Sequence, residues 1–189
     1  MITKPNNYDQ IKAAGGFERL PAGGYVIEIK KAEIKTSVSG YEYLDLTIEI
    51  SEGIFAGYFM DEYNAQQFEP KRYKGHFRQG TPKDDQSSSY FKAMITAIEE
   101  SNPGYTWDWN EQSLVGKTAG CLMRSEEWEY NGRTGMRTAP FRLTASDNIR
   151  SGNYLVPQPK YLNQNQDNGS QQQPQAVTFE EVRDEDIPF

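Results

Sequence analysis

The chain of 189 residues contains one cysteine, Cys121, and one histidine, His76. A closed structural zinc site needs about four Cys or His ligands, so a site of that kind is excluded. An internal disulfide is excluded too, which suits a reducing, cytoplasmic setting. Long apolar runs are also missing. No stretch approaches the ~18 consecutive apolar residues of a membrane span. The first residues, Met1 to Gly24, mix Lys4, Asp9, Lys12, Glu18 and Arg19 with their apolar positions and show no apolar signal core. The sequence has neither a GxxxxGK[ST] phosphate loop nor a GxGxxG motif after a strand; Gly23-Gly24 reads as part of a turn. The expectation is a soluble protein with no membrane partner, no metal and no cofactor.

What is present divides the chain unevenly. The formal charge is −7, from 20 Lys and Arg against 27 Asp and Glu. Residues 157–189 hold Lys160 and Arg183 against Asp167, Glu180, Glu181, Asp184, Glu185 and Asp186, so this last sixth of the chain carries more than half of the excess. From Gln158 to Gln175 there are seven Gln and three Asn, with almost nothing apolar besides Tyr161 and Leu162. Such a segment cannot offset ~1–2 kcal/mol of backbone entropy per ordered residue. The organisation expected is an N-terminal extension (1–24), a globular domain (25–156), a disordered Gln/Asn-rich linker (157–179) and an acidic tip (180–189).

The globular part reads as mostly β. Tyr25, Ile27 and Ile29 alternate within Tyr25–Lys30, after the Pro21-Ala22-Gly23-Gly24 turn signal. Leu44, Leu46, Ile48 and Ile50 alternate within Tyr43–Ile50, which sends Tyr43, Asp45, Thr47 and Glu49 to the other face. Ile54–Met60 reads as a third strand and 61–87 as irregular. Phe91, Met94, Ile95 and Ile98 fall at helical spacing, with Ser87–Ser89 as N-cap candidates and Asn102-Pro103-Gly104 as the stop. Lys117–Tyr130 and Arg137–Thr144 then form a hairpin about Asn131-Gly132, a type I′ signal. Three strands, a helix and two strands are the order of the five-stranded OB-fold barrel, with its helix between strands three and four.

The acidic pairs Asp61-Glu62, Asp84-Asp85 and Glu126-Glu127 could hold Mg²⁺ in a nuclease, but neighbours on a strand point to opposite faces, and solvated charge is the better reading. His76 reads as exposed in a polar loop and Cys121 as a buried small hydrophobe. The concentrated positive segment is more informative. Between Glu69 and Lys83 lie Lys71, Arg72, Lys74 and Arg78, with Tyr73 and Phe77 interleaved. Cations that track phosphates beside rings that stack bases are the parts of a single-stranded nucleic-acid site, each stacked base contributing ~1–3 kcal/mol; the alternative is a solvated basic loop whose aromatics pin it to the barrel. A second group, Arg124, Trp128, Tyr130, Arg133, Arg137 and Arg142, surrounds the hairpin tip, diluted by Glu126, Glu127 and Glu129; Trp128 and Tyr130 read equally as a cross-strand aromatic cluster. In OB-folds the loops between strands one and two and between strands four and five, with the face of strands two and three, contact oligonucleotides. Those regions map to Lys35–Tyr41, to 128–137 and to outward residues such as Tyr43. Trp107-Asp108-Trp109 reads as packing a loop onto the helix end, with a stacking platform as the alternative.

Asp184-Glu185-Asp186-Ile187-Pro188-Phe189 resembles the acidic C-terminal tip of bacterial and phage single-stranded DNA-binding proteins, where a Gln/Gly/Pro-rich linker joins it to an OB barrel. Leu20–Tyr25, Ser101–Tyr105 and Leu114–Lys117 are similar to the single-stranded DNA-binding proteins of phages of Gram-positive bacteria. The resemblance implies a non-enzymatic protein that coats single-stranded DNA without sequence preference in the host cytoplasm. It also implies partners among replication, recombination and repair proteins that read the tip. Lys71, Arg72, Lys74 and Arg78 are expected to neutralise phosphates, with Arg124, Arg133 and Arg137 beside them. Tyr73, Phe77, Trp128 and Tyr130, with Tyr41 and Tyr43, are expected to stack bases. The rival expectation is an OB-fold adaptor that binds protein only.

Overall fold

The computed structural model describes residues 19–162. They form one five-stranded antiparallel sheet in the order β3-β2-β1-β4-β5. The strands are β1 (Gly23–Thr36), β2 (Glu42–Ile50), β3 (His76–Gly80), β4 (Thr118–Tyr130) and β5 (Arg133–Thr144). Three α-helices accompany them: α1 (Tyr58–Ala65), α2 (Asp85–Ser101) and the short α3 (Ser146–Arg150); a 3-10 turn spans Glu111–Leu114. The mostly-β expectation holds, as do the helix between strands three and four and the closing hairpin.

The alternating Leu44, Leu46, Ile48 and Ile50 of β2 meet Ile27, Ile29 and Ala32 of β1 on the core side. Helix α2 closes over them with Phe91, Met94, Ile95, Ala97 and Ile98, the stripe its spacing predicts. Its N-cap is Asp84, one turn before the expected serines. The Asp84 carboxylate accepts from Ser87 N at 2.7 Å, and Ser87 Oγ accepts from Asp84 N at 3.0 Å, a reciprocal capping box. At the other end the Asn102 amide donates to Ile98 O and Thr118 O, tying the helix exit to the start of β4.

Strand three is not where its apolar run suggested. Ile54–Met60 is a turn leading into α1, because Gly53 and Gly57 adopt left-handed φ of 84° and 79° that break an extended chain. Ile54 is 89% exposed. The true β3 lies in the segment read as irregular and sends only Phe77 into the core.

The domain edges also shift. Gly23 and Gly24 belong to β1, paired with Met123 and Leu122, rather than to a preceding turn. A Cβ on Gly24 would stand 2.7 Å from Ile149 and Tyr154, so only glycine lets α3 and the segment after it pack here. Leu20, assigned to the extension, is a core residue, and its N–H donates to the Tyr58 hydroxyl. Beyond Pro157, Lys160 pairs in parallel with β4: Lys160 N donates to Ser125 O at 2.9 Å and Glu127 N to Lys160 O at 2.8 Å. The expected linker boundary at 157 therefore falls inside a paired segment. The rest of the expected linker and the whole tip lie outside the described residues.

The hairpin follows its sequence. Asn131 and Gly132 have φ of 50° and 71°, as a type I′ turn requires. From Arg124 onward β4 no longer pairs with β1, so Arg124–Tyr130 and Arg133–Ala139 form a ribbon whose β4 edge takes the Lys160 bridge instead.

Leu46 is fully buried, paired with Ala32 of β1 and Phe77 of β3. Leu46→Ala is expected to cost about 2–5 kcal/mol in urea unfolding, whereas Ile54→Ala should change it by less than about 0.5 kcal/mol.

Candidate nucleic-acid interface

The face of β1–β2–β3 turned away from the core is ordered by register into three rows: Lys31, Thr47 and His76; Glu33, Asp45 and Arg78; Lys35, Tyr43 and Gly80. Every other residue of each strand reaches this side because the side-chain period of a strand is two. Asp45 is its hub. The carboxylate is only 3% exposed, with Lys35 Nζ at 2.6 Å, His76 Nδ1 at 3.1 Å and Arg78 Nε at 3.7 Å. Burial alone would raise the Asp45 carboxyl, but the hydrogen bonds and charges of His76 and Lys35 outweigh it and hold the group down to about 2. Lys35 is raised although burial opposes the change, because Asp45 and Glu33 favour its charged form. The hub gathers Lys35, His76 and Arg78 on one patch, holding Lys35 and His76 by hydrogen bonds and drawing in Arg78 by charge. With Lys31 added, the permanent cations outnumber the carboxylates of Glu33 and Asp45.

Several expected residues behave differently. Tyr43 is 2% exposed, and its partners Asp45 and Glu49 are buried rather than solvent-facing. Phe77 is a core residue at 4% exposure, so neither ring offers a free face to a base. Tyr73 packs among Phe59, Tyr63 and His76, and its hydroxyl lies 2.9 Å from both Ile48 O and Glu49 Oε2. Burial, then the bond to Glu49, pushes that hydroxyl up, so it stays a neutral donor. The Glu49 carboxylate also accepts from the N–H groups of Ile50, Phe59 and Met60, serving α1 in place of the side-chain cap that Gly57 cannot supply. His76 is not in an exposed loop but on β3, bound to Asp45.

The basic loop before β3 is held rather than free. The Gln66 amide accepts from Arg72 N and donates to Arg72 O, both at 2.8 Å. Lys71 reaches Asn64 O and lies 5.8 Å from the Tyr63 ring centre, and Lys74 pairs with Glu62. Lys83 sits 4.7 Å over the Tyr41 ring, and the Tyr41 hydroxyl covers Gly80 so closely that a Cβ there would collide with it. Tyr41 and the β1–β2 loop are thereby held against the end of β3.

On the ribbon, Trp128 lies over Gly135, where a Cβ would be 2.8 Å from the indole. Trp128 and Tyr130 are 37% and 68% exposed. Arg124 donates to Glu126 and lies over the Phe141 ring, where Arg142 also approaches; Arg137 reaches the second oxygen of Glu126. Arg133 pairs across from Tyr130 at the exposed tip. The acidic pairs have local partners: Glu62 takes Lys74, Asp84 caps α2, Glu126 takes two arginines and Glu127 accepts from Leu162 N. Among the described residues no group of three or more His, Cys, Asp or Glu is placed to hold a metal, and no helix is long and apolar enough to cross a membrane. Cys121 is fully buried, which pushes its thiol up to about 12.

Sequence reasoning places Asp45 on the outward face and Lys35 at a contact loop, but misses Lys31 and Glu33 beside them and Asp45 as the hub. The strict polar alternation of Lys31, Glu33 and Lys35 was the available signal. Residues 6–75, somewhat over a third of the chain, match a family described only as a protein of unknown function, DUF669. The match takes in β1, β2 and α1 and ends just before β3. No curated protein matches the chain.

The Asp45 site has a pH signature. A carboxyl held below its ordinary value contributes stability above the unfolded pKa of about 4 and loses it as pH falls through the folded value. Acid titration of folding should show about 2 kcal/mol lost between pH 5 and pH 2 that Asp45→Asn lacks, provided the variant is compared with wild type by urea unfolding at each pH.

Proposed function

We propose that this chain is a non-enzymatic single-stranded DNA-binding protein of the phage type, built on an OB-type barrel. The observation that carries the reading is the outer face of β1–β3, where buried Asp45 assembles Lys35, His76 and Arg78 beside Lys31 on a sheet surface. In an OB barrel that face is the oligonucleotide surface. Support for the barrel comes from the order β3-β2-β1-β4-β5, which is an OB barrel cut between strands three and five, from α2 between β3 and β4, and from the approach of β3 to β5.

Lys31, Lys35 and Arg78 would neutralise phosphates on the sheet, with Lys71, Arg72 and Lys74 at its edge. Trp128 and Tyr130 on the ribbon keep exposed ring surface for bases, whereas Tyr41 is half-buried with Lys83 over its ring. Arg133 at the ribbon tip adds a further cation. Asp184 to Phe189 would recruit replication, recombination and repair proteins: an apolar pocket beside a basic residue takes the Phe189 ring and the acids before it. Coating and protecting exposed strands needs no catalytic group.

Fluorescence anisotropy with labelled oligo-dT and a duplex of equal length, at low and moderate salt, tests the reading. The full chain and a version ending at Leu162, which keeps the Lys160 pairing, should both prefer the single strand and weaken steeply with salt. Lys31→Ala and Arg133→Ala should each lower the log–log salt slope by about 1. Failure of both versions to bind would leave the protein-only adaptor as the working description.

A further inference from the structure

A second exposed aromatic site follows the exit of α2, on the segment that leads to the 3-10 turn packed on β1. The Trp107-Asp108-Trp109 segment divides its two indoles between inside and outside. Trp107 packs on Phe91 of α2 with ring centres 5.5 Å apart, and Trp109 stacks on Trp107 at 4.7 Å with 37° between the planes. The ladder runs from the core to a ring that is 74% exposed.

Single exposed hydrophobic residues are ordinary on protein surfaces. Trp109 differs because it is held in place. Its φ is 67°, a left-handed conformation that bulky residues rarely adopt and that survives only where the surroundings dictate it. Those surroundings are a dense set of bonds. Trp107 N donates to Glu99 Oε1, Trp107 Nε1 to Asn110 O, and Asn110 N and Ser113 Oγ to Asp108 Oδ1; Gln112 N donates to Asn110 Oδ1. The ring is thus presented with little entropy left to lose on binding.

The charge around it is negative. Glu99, Asp108 and Glu111 belong to this stretch, and hydrogen bonds from Ser113 and Asn110 hold the Asp108 carboxyl below its usual range. Lys117 is engaged over the Tyr105 ring at 4.3 Å, and Lys31, next to the Ala32 carbonyl that takes the Gln112 amide, pairs with Glu33 at 2.7 Å. Phosphates would be repelled here, whereas a guanidinium or ammonium gains from the carboxylates and from the indole face together.

We propose that Trp109 is the anchor of a protein-docking site for an arginine-bearing segment of a partner, with the side-chain cation over the indole and Glu111 and Asp108 completing the charge match. The site is independent of the DNA-binding reading and of the acidic tip, since it uses a different element and the opposite charge.

The test follows the three tryptophan indole N–H resonances of the full chain by NMR, assigned with Trp109→Phe and Trp128→Phe. The probes are a short arginine–glycine peptide, its neutral citrulline counterpart and oligo-dT. The arginine peptide should shift the Trp109 resonance saturably while citrulline leaves it in place. Read at Trp107, Trp109→Ala should weaken the peptide about three- to tenfold, and Glu111→Gln about twofold. Trp109→Gly, which removes ring and strain together, should weaken the peptide as much as Trp109→Ala does while raising the melting temperature, separating loss of the site from loss of the fold. An unmoved Trp109 resonance, an equal response to citrulline, or a larger one to oligo-dT would overturn the proposal.

Discussion

The sheet depends on one long strand serving two neighbours. Residues Gly23–Glu28 of β1 pair with β4, and Ile27–Thr36 pair with β2, with a register break between Ile29 and Lys31. A bulge of this kind bends a strand and adds twist, which lets a single strand leave one half of a sheet and enter the other. Everything downstream inherits that bend. The core of Ile27, Ile29 and Ala32 lies on its inner side, and Lys31, Glu33 and Lys35 line its outer side beyond the break. The 3-10 turn is also fastened to this strand: Gly116 N donates to Ile29 O, and the Gln112 amide donates to Ala32 O.

The buried carboxylates of β2 divide the labour on the side of the strand away from the core. Asp45 collects cations from β1 and β3 and so ties three strands through their side chains as well as through their backbones. Glu49 spends all its capacity on backbone N–H groups and one hydroxyl, fixing the entry of α1 and the ring of Tyr73. Two acids on one strand thus play different parts because one faces cations and the other faces orphan N–H donors. The first produces a charged surface with Lys35 and His76 held in place; the second stabilises the connection that leads to β3.

The same economy shows in the aromatic residues. Rings that looked equivalent in the sequence are separated by burial: Tyr43 and Phe77 are enclosed and Tyr73 is half-enclosed, while Tyr130 and Trp109 remain exposed on elements pinned by hydrogen bonds or strand pairing. Exposed rings on ordered backbone are the ones available to a partner, and here they lie on different elements with different surrounding charge. Arginines accompany Trp128 and Tyr130 on the ribbon, and carboxylates accompany Trp109.

Elements with a strong local period were legible from residues alone. The four aliphatics of β2, the stripe of α2 and the Asn131-Gly132 turn each carry their own signal, because a strand that buries one face, a helix that buries one stripe and a turn that needs two positive φ values restrict residue choice locally. The placement of β3 did not come through: His76–Gly80 sends one side chain to the core, so there is no period to read, whereas Ile54–Met60 is apolar yet interrupted by left-handed glycines. The polar hub was hidden for a related reason. Asp45 looks like a solvated outward residue until strand pairing sets Lys35, His76 and Arg78 around it, residues ten to thirty-three positions away along the chain. Composition and local spacing determined that this chain would be mostly β, with a helix before a final hairpin. Which charges meet, and which rings stay exposed, was decided only by tertiary structure, because burial and ion pairing are properties of neighbours in space rather than in sequence.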